Sequence, residues 1–234
     1  MVGTGTSRAA LAYLKALYAL EEESPRSGAR GRLGTARRVT TSAIAERLAV
    51  SAPSATNMLK RLAARDLVSY EPYKGASLTR KGRAVALEIV RHHRLLETYL
   101  VEALGVPWEE AHAEAEALES NLSESVEERM FAALGRPRFD PHGHPIPTRN
   151  GAVPKTSRRS LWDVSDGEAA LVAQVPDSHS EALRYLAEVG VLPGVRVTIE
   201  SRGPIGGPLF VRVEDNEDAP VALSKEITEA IWVH

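Results

Sequence analysis

His93 and Glu97 stand four residues apart, as do His112 and Glu116, and Glu119 follows three residues later. Residues four apart on a helix share one face. His93 also lies four after Ile89 and three before Leu96, which puts it on an apolar stripe rather than in solvent. An inward face carrying histidine and three glutamates across two helices is costly to bury unless a cation compensates it. Imidazole and carboxylate donors suit Mn²⁺ or Fe²⁺, and zinc also accepts them. The same spacing fits an acidic, solvent-facing helix surface with His93 as a hydrogen-bonded core histidine. His142 and His144, in PHGHPIP, fall in a Pro/Gly segment and read as loop residues ahead of ligands.

Other chemistries find little support. The chain has no cysteine, which excludes disulfides, cysteine-bound zinc and iron–sulfur centres. No His-Glu-x-x-His pattern, nucleophile elbow or phosphate loop occurs, so a metallohydrolase is disfavoured and the chain reads as not an enzyme. No apolar run approaches the ~18 residues of a membrane span. The start, MVGTGTSRAALAYL, has no sustained apolar stretch before a cleavage site, so a cytoplasmic protein without a membrane partner is expected.

The donors need helices to carry them, and the pattern supplies these. Val85, Ile89, Leu96, Leu100 and Leu104 form one stripe of a long helix over 79–104, which Gly105 stops. Helices are expected over 108–120 and 123–134, the second capped by Ser123. This segment is small for its apolar stripes, which points to a homodimer.

Upstream, residues 39–83 read as a winged helix-turn-helix. A short helix, capped by Thr41 or Ser42, turns at Val50–Ala52 into a second helix from Pro53 to Ala64. Met58, Leu59 and Leu62 form its buried side. Ser54, Thr56, Asn57, Lys60 and Arg61 form its polar side, and asparagine can read adenine through two bonds. A two-stranded wing follows around Lys74–Gly75, with Lys74 as a phosphate contact. A further helix over 7–22 precedes this motif, and the arginine-rich stretch 24–38 suits either a phosphate backbone or open solvent. Charge agrees with a duplex DNA partner. Residues 1–84 carry 15 Lys/Arg against 6 Asp/Glu, and residues 85–148 carry 5 against 12.

Residues 136–160 hold five prolines and read as a linker. Beyond it, LVAQV, VRVTIE, LFVRVE, PVALS and AIWV read as short strands of a small five-stranded barrel, with one helix at Ser180–Val189. The fold class expected is a mainly α first two-thirds followed by a small all-β barrel. The boundaries are 1–84 for DNA binding, 85–148 for helical dimerisation and metal binding, 149–163 for a linker and 164–234 for the barrel.

AERLAVSAPSATNMLKRLAARDLVSYEPYKGASLTRKG, HHRLLETYLVEALGV, ESNLSESVEERM and PHGHPIP, in that order, resemble the diphtheria-toxin-repressor/manganese-transport-regulator family. VAQV…LRYLAEVGVLPGVRVTI is similar to that family's C-terminal SH3-like (FeoA-like) domain. The resemblance implies a dimeric repressor of metal-uptake genes that binds a palindromic operator when Mn²⁺, or alternatively Fe²⁺, is bound. It puts recognition on Ser51, Pro53, Ser54, Thr56 and Asn57. It puts the family's ancillary metal site on His93, Glu97 and His112, with Asp177 or the competing His179 completing it from the barrel. The family's primary site falls on Ala12, Lys15, Glu116, Glu119 and Ser120, and so loses two or three ligands. Glu116, standing where iron-type members have cysteine, leans the metal toward manganese. The resemblance therefore puts the main metal on the intact set, with Glu116 and Glu119 feeding it or a weaker second ion. A winged-helix regulator that has lost metal sensing is the alternative.

Overall fold

The structure, a computed structural model, describes residues 7–23, 38–156, 159–177, 179–214 and 219–234. The described residues fall into two compact units, one made of those within 1–92 and 147–152, the other of those within 93–146 and 153–234. Among the described residues no helix is long and apolar enough to cross a membrane. Of the arginine-rich stretch, residues 24–37 lie outside the described residues.

In the first unit, α1 (Arg8–Glu23) buries Ala10, Leu14, Leu17 and Tyr18, the stripe its spacing predicts. Full burial of each leucine is worth about 1.5–3 kcal/mol. α2 (Thr41–Arg47) and α3 (Ala52–Ala64) make the helix-turn-helix. The cap of α2 is Thr40, one residue before the expected position, and its hydroxyl accepts the Ala43 N–H at 3.2 Å. The turn also comes earlier than expected, at Leu48–Ala49, where Ala49 takes φ 51°. Ser51 caps α3, accepting the Ser54 N–H, and Pro53 fills the first turn, where no N–H is needed. Ala55, Leu59 and Leu62 are buried, while Met58 is only half-buried.

β1 (Val68–Glu71) and β2 (Gly75–Leu78) pair antiparallel as the wing, with Glu71 opposite Gly75. Gly75 has φ +94°, and a Cβ there would stand 2.2 Å from the Val39 carbonyl oxygen, so no larger residue fits. Arg83 ties the start of α4 (Arg80–Glu102) back to α1, 3.0 Å from both Glu21 and Glu22.

α4 starts in the first unit and carries His93 and Glu97 into the second. There α5 (Trp108–Leu118), a 3-10 turn at Glu119–Asn121 and α6 (Glu124–Ala133) follow, with Ser123 capping α6 as expected. Leu96, Leu100, Ala115 and Met130 make a small apolar core. Leu104, expected on the inward stripe, is 61% exposed because α4 ends before it.

The rest of this unit is one antiparallel sheet of six strands, in the order β3-β8-β4-β5-β6-β7. These are β3 (Arg159–Ser160), β4 (Ala169–Gln174), β5 (Arg196–Arg202), β6 (Leu209–Val213), β7 (Val221–Leu223) and β8 (Trp232–Val233). The sixth strand, β3, has only two residues and lies in sequence with no alternation to mark it. α7 (Ser180–Glu188) covers the core with Leu183 and Leu186, and the short α8 (Lys225–Ala230) packs Ile227 against it, with Ile231 buried just after the helix. The proline-rich stretch differs from a plain linker, because Asp140, His142 and Ile146 are buried.

Candidate metal centre and DNA-reading surface

α4 and α5 bring His93, Glu97 and His112 together. Glu97 Oε1 lies 2.9 Å from His93 Nε2 and 3.1 Å from His112 Nδ1, and the two imidazoles approach to 3.0 Å. Glu97 is fully buried, and its second oxygen, Oε2, has no hydrogen-bond partner. Burial alone would push the Glu97 carboxyl up. The His93 charge and hydrogen bonds from His112 and His93 outweigh this and hold it well below the usual carboxylate range. A bare carboxylate oxygen beside two imidazoles, with no soft donor near, fits a borderline or hard divalent cation.

Both imidazoles are also held from outside. Glu119 Oε2 is 2.7 Å from His93 Nδ1, and Glu116 Oε1, on a half-exposed side chain, is 3.8 Å from His112 Nε2. These glutamates therefore meet the ring nitrogens that face away from Glu97.

A second donor set adjoins the first. In the segment DPHGHP, one oxygen of Asp140 accepts the backbone N–H of both His142 and His144 at 2.9 Å. This folds the loop so that both rings fall beside the carboxylate. Donor atoms of Asp140, His142 and His144 lie within 4.8 Å of one another, as do those of His93, Glu97 and His112. His142 Nδ1 is 4.0 Å from Glu97 Oε1. Sequence reasoning left His142 and His144 as loop residues and missed Asp140. The available signal was the alternation of donors at 140, 142 and 144.

Asp177 comes to this second set, its Oδ2 3.8 Å from His144 Nδ1. Burial pushes the Asp177 carboxyl up, but the His144 charge helps to bring it below its ordinary value. His144 is shifted upward: burial opposes its charge, and Asp177 and Asp140 win. His179 is exposed at the N-terminus of α7, with no capping bond.

The expected DNA-reading residues form a separate surface in the first unit. Ser51, Pro53, Ser54, Asn57 and Lys60 are exposed along α3, whereas Thr56 is half-buried. The Ser51 hydroxyl is engaged at the cap and donates to Ser54 Oγ at 3.0 Å. Lys74 sits at the wing tip, 2.9 Å from Glu71, which Arg38 also pairs. Hydrogen bonding from Lys74 leads the lowering of the Glu71 carboxyl.

Three family descriptions match the chain. The iron-dependent repressor N-terminal DNA-binding domain covers residues 32–76, its metal-binding and dimerisation domain 79–148, and the FeoA domain 159–234. The iron-dependent repressor IdeR of Mycobacterium leprae is 34% identical over 233 residues, covering 94% of each chain. The diphtheria toxin repressor of Corynebacterium diphtheriae is 33% identical over 135 residues, 58% of this chain and 54% of that one. Among solved structures, a manganese-dependent transcriptional repressor in complex with manganese superposes with a TM-score of 0.85 at 38% identity, covering 96% of this chain and 98% of that one. ScaR with bound Cd²⁺ superposes at 0.77 and 29% identity, over 96% and 98% of the chains.

Proposed function

Because the chain belongs to the iron-dependent repressor family of metal-dependent transcriptional repressors, we propose that it represses metal-ion uptake genes when Mn²⁺, or alternatively Fe²⁺, is bound. In this reading it acts in the cytoplasm as a homodimer on a palindromic operator.

One observation carries the metal reading: Glu97 is buried between two imidazoles with a carboxylate oxygen that no donor satisfies. Leaving such a group bare is expensive, and a cation removes the cost. His93, Glu97 and His112 would hold the ion, and Asp177 is the donor the barrel offers to this region. A bound divalent cation supplies positive charge and fixes the directions of its ligands. His93 and Glu97 then hold α4 to His112 of α5, and outward hydrogen bonding by Glu119 keeps the His93 ring turned inward. Mn²⁺ is favoured because all the donors are oxygen or imidazole nitrogen and Glu116 stands in place of a thiolate.

Ser51, Pro53, Ser54, Thr56, Asn57 and Lys60 would face the major groove, with Lys74 on the adjoining phosphates. Binding to duplexes selected from a random pool, measured with chelator, with Mn²⁺ and with anaerobic Fe²⁺, tests the proposal. Metal-dependent affinity is the expected result. The second reading, a regulator without metal sensing, is motivated by the non-ligand residues Ala12 and Ser120. Equal affinity with and without metal would establish it instead.

A further inference from the structure

We propose that Glu97 bridges two divalent cations, so that the centre is a pair rather than a single site. The first ion is the one of the preceding reading, on which this inference rests, held by His93, Glu97 and His112. The second is held by Asp140, His142, His144 and Asp177, with Glu97 as the shared ligand.

The second set has the marks of a built site. His142 is fully buried, and its Nε2 donates to the Trp108 carbonyl at 3.1 Å. That bond puts the ring proton on Nε2 and leaves a lone pair on Nδ1. Nδ1 is buried and has no hydrogen-bond partner. An imidazole oriented by a backbone carbonyl, with its other nitrogen bare, is the usual arrangement of a metal-ligating histidine. Asp140 repeats the pattern. Its Oδ1 is used by two backbone N–H groups, whereas Oδ2 is buried without a hydrogen bond, 3.7 Å from Arg94 Nε. His144 Nδ1 is likewise buried without a hydrogen bond, 3.5 Å from Asp140 Oδ1.

The loop is also fixed in place. Gly143 has φ +86°, and a Cβ there would stand 2.0 Å from the Ala173 carbonyl oxygen on β4. The Val175 N–H donates to the His142 carbonyl at 2.9 Å, fastening the same loop to the sheet.

Glu97 joins the two sets. Its Oε1 faces the first pair of imidazoles and lies 4.0 Å from His142 Nδ1, while Oε2 is unclaimed. With Oε1 near both donor sets and Oε2 free of hydrogen bonds, this one carboxylate can serve two ions, which in two-metal sites stand about 3.5–4 Å apart. Charge points the same way. Glu97, Glu119, Asp140 and Asp177 bring four carboxylates into the region against the one guanidinium of Arg94, an excess that a single divalent cation leaves uncompensated.

The test uses the full-length protein, stripped of metal and titrated with Mn²⁺. Two equivalents per chain are expected in this centre, and the fully loaded protein should give the electron paramagnetic resonance spectrum of an exchange-coupled manganese pair. His144→Asn should lose one equivalent and convert the spectrum to that of isolated Mn²⁺. Glu97→Gln should abolish the coupling. The wild-type spectrum is decisive even if Glu97→Gln does not fold. A single equivalent with an uncoupled spectrum overturns the inference, as do two equivalents with no exchange. Metal-dependent DNA binding with only one ion would leave the proposed function standing while this inference fell.

Discussion

The Glu119 carboxylate grips His93 from behind: Oε2 lies 2.7 Å from Nδ1, while Nε2 of the same ring faces Glu97 Oε1 at 2.9 Å. The two ring nitrogens point in divergent directions, so a group on one cannot reach an ion on the other. Glu119 thus fixes the ring and its tautomer instead of adding a ligand to the first set.

Glu119→Ala should therefore weaken Mn²⁺ binding about 10–100-fold without changing the number of ions bound. Glu119→Gln keeps an acceptor oxygen and should lose less. His93→Ala removes a ligand and should cost more than either, and should weaken metal-dependent DNA binding. Isothermal titration on each variant decides it. The assignment fails if Glu119→Ala abolishes the tightest site while His93→Ala leaves it intact.

Asn57 is exposed on α3, where a base edge is within reach. Asn57→Ala should cost about 1–3 kcal/mol on a selected duplex and little on random DNA. Lys74→Ala should weaken all duplexes and reduce the salt slope by about one. Equal losses on specific and random DNA in both variants would remove the base-reading role of Asn57.

The segment matched to the dimerisation domain exposes Leu118 at 47% and Val126 at 46%. Apolar side chains left in water on a small helical segment are expected at an interface between two copies. Sedimentation at micromolar concentration should show a dimer, and Leu118→Arg should shift it toward monomer. A wild-type monomer both with and without metal would sink the idea.

At the edge of the sheet, hydrogen bonding from Arg159, 2.5 Å away, takes the exposed Glu168 carboxyl from 4.5 down to about 2. A carboxylate depressed by folding stabilises the fold above its unfolded pKa, and that contribution is lost as pH falls from 4.5 through about 2. Carbon-detected NMR titration of Glu168 should show the low midpoint, and Arg159→Ala should return it to the ordinary range. An ordinary midpoint in the wild type would refute it.

Much of this was legible in sequence because it is local. The stripe Ala10, Leu14, Leu17, Tyr18 and the i,i+4 pair His93–Glu97 follow from helical period alone. The fold class and the family also followed from ordered strings of residues. What escaped depended on contacts distant in the chain. Asp140 and Asp177 flank His144 from segments 37 positions apart, and no periodicity relates them. Leu104 fits the stripe but lies beyond the end of its helix, a boundary that hydrophobic spacing does not set. Thr40, Thr41 and Ser42 are all competent caps, and the backbone decided among them.

Trp108 stacks on His142, ring centroids 5.3 Å apart, and its carbonyl accepts the His142 Nε2–H. The indole is thus an optical gauge placed by the fold directly against one donor of the centre, His142. Mn²⁺ is paramagnetic, and its arrival at His142 would quench a fluorophore at this range. Replacing Trp162 and Trp232, the other two tryptophans, with phenylalanine would leave a single emitter. Its emission would then follow the arrival of Mn²⁺ at the centre in real time, with no label attached.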